Sequence, residues 1–107
     1  MIETAAAIRS TLELIGTELE FVAGTIYGIP EQKLVDISDF GSPFEVIKNA
    51  YSFIVAASDL KELGVVEGSE FFILVFSRKF TFSAGTYTED FNGWAKLLVT
   101  MSGVQDV

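Results

Sequence analysis

The chain of 107 residues contains no cysteine and no histidine. The first absence excludes disulfides, thiolate nucleophiles, and Cys-ligated zinc or iron–sulfur sites. The second removes the commonest general base near neutral pH and the commonest metal ligand. No Ser–His or Cys–His nucleophile is possible without it. Basic residues are scarce as well. Seven Lys and Arg face fifteen Asp and Glu, for a formal net charge of −8, and the one adjacent basic pair is Arg78-Lys79. Nucleic-acid binding rests on clustered Lys and Arg that displace phosphate counterions, so no grip on DNA or RNA is expected. Long apolar runs are missing too. The longest, Phe71 to Phe76, falls far short of the ~20 residues that span a bilayer. The opening stretch MIETAAAIRSTLELIG carries Glu3 early and no basic n-region, unlike a secretory signal. The expectation is a chain that works inside the cell and away from membranes.

Acidic residues are plentiful but poorly placed for chemistry. Asp36 lies near Asp39, Glu67 near Glu70, and Glu89 beside Asp90. Paired carboxylates cleave glycosidic bonds only when held across a pocket at a defined separation, and these pairs fall in stretches that read as solvated turns. Asp36, Asp39 and Glu45 supply oxygen ligands without the alternate spacing of a calcium loop, which leaves weak calcium binding open. No glycine-rich run leads into Lys-Ser or Lys-Thr, so a phosphate cradle is not expected. We expect no catalytic, metal or cofactor site, and therefore no enzyme.

What the chain has in quantity is apolar surface. Half its residues are hydrophobic, and ten of its fourteen aromatics are Phe. The length suits one domain, residues 1–107, with a core that needs no metal or disulfide. The apolar surplus also suits contacts between subunits.

The pattern predicts a helix over 1–15, from the helix-favouring Ala5 to Ala7 and the spacing of Ile8, Leu12 and Ile15, with Gly16 as its stop. Glu18 to Tyr27 alternates as one strand, with Leu19, Phe21, Ala23 and Thr25 on one face, ended by Gly28-Ile29-Pro30. Leu34 to Ile37 fits a short strand. Residues 36–50 form a long loop that nevertheless carries Phe40, Phe44, Val46 and Ile47.

Tyr51 to Ala57 alternates as a strand. Asp59 and Glu62 are spaced as a capping box for one helical turn, which Gly64 closes in the left-handed conformation. Glu67-Gly68 is a second turn. Glu70 to Phe76 is apolar without a break and reads as a strand buried on both faces, so Phe72 and Leu74 join Phe53, Val55, Phe80, Phe82, Leu97 and Val99 in the expected core. A tight turn at Ser77 to Lys79 follows, then a short return strand over Phe80 to Ser83. A polar loop spans Ala84 to Gly93, and a last strand spans Trp94 to Met101 with a frayed tail over 102–107. The fold class is mainly β (α+β): an N-terminal helix, then a small antiparallel β-barrel or sandwich over 16–101.

The block SFIVAASDLKELGVVEGSEFFI, followed by FSRKFTFSAGTYTEDFNGWAKLLV, resembles the head-completion, or head–tail joining, proteins of tailed bacteriophages. Asp59, Leu60, Leu63, Gly68 and Ser69 stand at the matching positions, although family members often carry Asp where this chain has Ser69. The resemblance covers roughly Gly16 to Met101 in order and spacing of elements. It implies a structural protein of the virion neck, assembled in the bacterial host cytoplasm as a homo-oligomeric ring. Its partners would be portal or adaptor and tail proteins, and DNA would pass nearby without specific binding. Tail-terminator and baseplate subunits are alternatives of the same kind, and a barrel that binds a small apolar ligand is an alternative of another. The candidate contact residues are Phe40, Phe44, Ile47, Arg78, Lys79, Phe91 and Trp94. For Arg78-Lys79 the plainer role is to keep a hairpin tip soluble, and for Trp94 it is core packing.

Overall fold

The structure is a computed structural model that describes residues 5–31, 43–90 and 92–106. The expected strand at Leu34 to Ile37, the loop residues 36–42, Phe40 and Phe91 lie outside these. Among the described residues the order is α1 (Ala5–Ile15), β1 (Thr17–Phe21), β2 (Thr25–Glu31), α2 (Pro43–Lys48), β3 (Ser52–Ala56), α3 (Ala57–Leu63), β4 (Glu70–Val75), β5 (Arg78–Glu89) and β6 (Trp94–Asp106). The six strands close a barrel in the order β1-β2-β3-β6-β5-β4, and every described strand pair is antiparallel. The mainly β architecture with a leading helix is the one expected, and it is a barrel rather than a sandwich.

Strand alternation fills the interior. Leu19, Ile26, Phe53, Val55, Phe71, Ile73, Phe80, Phe82, Leu97 and Val99 are all buried. At the centre Phe82 stacks on Phe71 with ring centroids 5.4 Å apart and meets Phe53 edge-on at 5.6 Å. Both are favoured geometries for aromatic pairs. Register shifts in the β5–β6 ladder, at Thr81/Phe82 and Ala84/Tyr87, bend the two longest strands. Such irregularities add local twist and help a sheet to close on itself.

Helix α1 packs outside the barrel through its narrow stripe. Ile8 and Leu12 are buried together with Ala56, against Tyr27, Ile29 and Trp94. The helix ends where the Gly16 amide donates to the Leu12 carbonyl at 2.7 Å. A Cβ on Gly16 would lie 2.5 Å from that same oxygen, so the sharp entry into β1 requires glycine. Helix α3 closes on Gly64 in the left-handed conformation, with φ of 66°, as the sequence suggests.

Several boundaries differ from the sequence reading. The expected strand Glu18 to Tyr27 is two strands joined at Val22-Ala23, where Phe21 and Gly24 exchange backbone hydrogen bonds of 2.9 and 3.3 Å. Apolar alternation runs through that turn, and Val-Ala carries no turn chemistry, so the sequence hides it. Gly28-Ile29-Pro30 does not end β2, which continues to Glu31. Among the described residues only β3 pairs with β2 beyond Gly28, and the missing donor of Pro30 is tolerated at such an edge position.

Residues 43–48 of the expected loop are helical. Strand β4 is buried on one face alone. Phe71 and Ile73 point inward, whereas Phe72 is half-buried and Leu74 is 52% exposed, because an antiparallel strand at a barrel wall has one wet side. Strand β5 runs on to Glu89 through most of the expected polar loop. Strand β6 continues through the expected frayed tail, pairing Gly103 to Asp106 with Thr81 to Arg78.

Candidate functional site

Among the described residues no group of three acidic side chains is arranged to hold a metal ion. The chemistry-bearing contacts instead join structural elements. Arg9 of α1 reaches across to α3, where its Nε and Nη2 donate to Asp59 Oδ1 at 3.1 and 2.6 Å and Nη2 also donates to Glu62 Oε2 at 3.4 Å. The two carboxylates read as a capping box therefore serve the N-terminal helix, and the first turn of α3 has no side-chain cap. The hydrogen bond to Asp59, and then its charge, raise the Arg9 pKa above its ordinary value. Asp59 is buried while Arg9 is half-exposed, so the pair works as a clasp with one end in the core. On the next face Ser52, which is fully buried, donates to Glu31 Oε1 at 2.8 Å.

The candidate contact residues that fall among the described ones are scattered over this body. Ile47 is buried in the barrel's own core at 3% exposure, so it is removed from any contact surface: α2 docks it inward. The backbone of Phe44 belongs to α2. Trp94 is half-buried against the Ile8–Leu12 cluster and holds α1 to β6. Arg78 and Lys79 open β5 rather than forming a turn. Arg78 Nε pairs with Asp106 Oδ1 at 3.3 Å, with both side chains exposed, and Lys79 Nζ lies 4.3 Å over the Phe72 ring.

The turn itself is Phe76-Ser77. Both residues have positive φ, 50° and 73°, and Val75 pairs with Arg78 across them. This is the two-residue hairpin geometry that normally selects Asn-Gly or another small pair. A bulky residue in that region is strained, and Phe76 is also 70% exposed. The sequence signal was present as a basic pair after a long apolar run, but it places the turn too late.

The opposite end of β4 has a different surface. Phe71 pairs with Phe21, next to the β1–β2 turn. There Val22 is fully exposed, and an open cleft of about 220 Å³ is lined by Phe21, Val22, Leu63, Val65 and Glu70, among others. Val66 and Glu67 are exposed nearby in the chain. Nothing in the sequence marks this cleft, because it combines two turns about 40 residues apart that only the β1–β4 pairing brings together.

Comparison with protein-family models, with curated proteins and with solved structures finds no match.

Proposed function

We propose that the protein is a structural subunit of a tailed-phage neck, which assembles into a ring between the DNA-filled head and the tail. The observation that carries the reading is the closed antiparallel barrel behind an N-terminal helix, in the element order on which the resemblance rests. Two features fit the role. Large apolar side chains remain on the outside, including Leu14, Ile15, Val22 and Phe76, and such surface is typically covered in assemblies. A net charge of −8 repels phosphate, which suits a surface past which DNA must slide. Tail-terminator and baseplate positions draw on the same features, and the resemblance favours the neck.

A ligand-binding barrel is less well supported. Its interior would need to be open, whereas here Phe53, Phe71 and Phe82 fill it ring against ring. The test is production of phage particles lacking this chain. The neck reading expects DNA-filled heads beside free tails. Infectious tailed particles made without the chain would refute it.

A further inference from the structure

We propose that two copies of the chain pair edge to edge through β6, antiparallel and across a two-fold axis at Val104, so that the β4–β5–β6 sheets of both copies become one sheet. The inference goes beyond the neck reading and does not depend on it. Three observations carry it.

The first is an open edge. Strand β3 pairs with β6 from Trp94 to Leu98, and the Val99 amide donates to the Tyr51 carbonyl at 3.0 Å. Past Val99, β6 pairs with β5 alone among the described residues, as far as Asp106. The hydrogen-bond phase identifies the groups left over. Val75 and Arg78 flank the two-residue hairpin turn, where the flanking residues form a bonded pair. Alternation then turns the backbones of Arg78, Phe80, Phe82 and Ala84 toward β4, and those of Lys79 and Thr81 toward β6. The bonds of Ala84 to Gly68 and Ser69 agree with this phase. Gly103 and Gln105 stand opposite Thr81 and Lys79, so they face β5. The N–H and C=O groups of Met101 and Val104 face outward, where no described strand meets them. Such a row of outward backbone groups is a template for a further strand.

The second is the lack of a guard. Edges are ordinarily blunted by charged side chains or Pro, and Leu97 to Gln105 contains neither. The register shift at Thr81/Phe82 places one extra residue, Ser102, in β6, and the edge resumes beyond it. Val104 is 42% exposed and stands opposite the buried Phe80. A strand laid along this edge therefore continues the apolar interior.

The third selects the occupant. The other open edge of the sheet is β4, which meets β1 only at Phe71 and Phe72. By the same alternation β4 presents Leu74 alone before the hairpin, too little to match β6. A second β6 does match. With Val104 opposite its twin, each N–H meets the other's C=O, and Gly103 lies opposite Gln105 as the neighbouring non-bonded pair. The contact is isologous and closes on itself. It joins two apolar side chains in a stretch free of charge, which matters for copies that each carry a net charge of −8.

The test is made in the full chain. Val104→Pro removes an outward N–H that its own fold does not use, and proline is tolerated at such edge positions. The variant should keep its far-ultraviolet circular dichroism and lose the dimer that the natural chain forms in sedimentation. Gln105→Pro removes a donor to β5 instead and should lower the melting temperature. Val104→Cys, in a chain with no other cysteine, should oxidise to a linked dimer well above Val22→Cys, whose fully exposed thiol reports random collision. In the natural chain, amide exchange at Met101 and Val104 should slow as concentration rises. A chain that stays monomeric at every concentration overturns the pairing. An oligomer that survives Val104→Pro, with no excess cross-link at Val104→Cys, overturns it as well. Protection of the two amides that is independent of concentration would place a segment of the same chain on the edge and refute the dimer. Should Val104→Pro fail to fold, the cross-link and the exchange decide. None of these readouts involves particle assembly, which decides the neck reading separately.

Discussion

Replacing Phe82 by Ala is the sharpest test of the barrel. Phe82 is wholly buried, stacked on Phe71 and edge-on to Phe53. Deleting a buried Phe side chain typically costs about 3–5 kcal/mol, and two well-formed ring contacts place this one toward the upper end. A domain of this size has only about 5–15 kcal/mol in total. With ~4–8 °C lost per kcal/mol for small domains, a loss of about 4 kcal/mol lowers Tm by roughly 15–30 °C. Phe72 supplies the control on the same sheet. It pairs with Thr81, one position away from Phe82 in the β4–β5 ladder, but faces outward beneath Lys79. Its truncation removes a half-exposed ring and a cation–π contact worth about 0.5–1 kcal/mol, so a cost near 1 kcal/mol is expected. Urea unfolding of both variants, read as a shift in midpoint at unchanged slope, measures the two costs. Equal costs, or a larger one for Phe72→Ala, would show that the inward and outward faces are assigned the wrong way round.

Arg9→Met leaves Asp59 buried without its guanidinium, and an unpaired buried polar group costs about 1–3 kcal/mol. Lys61→Met breaks the exposed pair with Glu89 and should cost under about 1 kcal/mol, so thermal melts that rank the two in the other order refute the clasp. Tyr27 donates to Glu18 at 3.3 Å, and the charge of Glu18 holds its phenol above the ordinary pKa of 10.0. A group whose folded pKa is raised contributes its stability in full below the unfolded value and loses it as pH rises through the folded one. Tyrosinate absorbance should therefore show a late-titrating Tyr27 phenol that Glu18→Gln moves back toward its ordinary value, and an unchanged titration would disprove the coupling. Duplex DNA at physiological salt should not bind the free chain, and a salt-sensitive complex in a gel-shift assay would contradict the charge argument.

The fold class was legible because its strongest signals are local. Ile8 and Leu12 mark one helix face, Phe53 and Val55 alternate cleanly, and Gly64 closes a turn. Phase and pairing were harder to read. The run Phe71 to Phe76 is apolar at every position, so it holds no information about which side is inward until β5 fixes the register with Phe71 opposite Phe82. The β1–β2 turn at Val22-Ala23 lacks turn residues, and the turn at Phe76-Ser77 holds a backbone that its residues do not prefer. Strands β5 and β6 overran their expected ends because each extension is stabilised by the other and by neither alone. The cleft was invisible for the same reason, since Phe21 and Val65 meet only through the closed barrel.

In the proposed ring, copies of a chain with a net charge of −8 would have to overcome repulsion among themselves. That repulsion acts between many groups over long distances, and salt weakens it once separations exceed a Debye length of ~8 Å at physiological ionic strength. Contacts built on the exposed apolar side chains, such as Leu14, Ile15 and Val22, would be short-ranged, so salt would leave them largely intact. The balance between the two terms therefore has a definite sign: self-association should strengthen as salt rises. Nucleic-acid binding has the opposite sign, because added salt removes the entropy gained from counterion release. Sedimentation or light scattering across a salt series separates the readings with one measurement. Oligomers that dissolve in moderate salt would mean that the association is built on ion pairs such as those of Arg78 and Lys79 rather than on apolar contact.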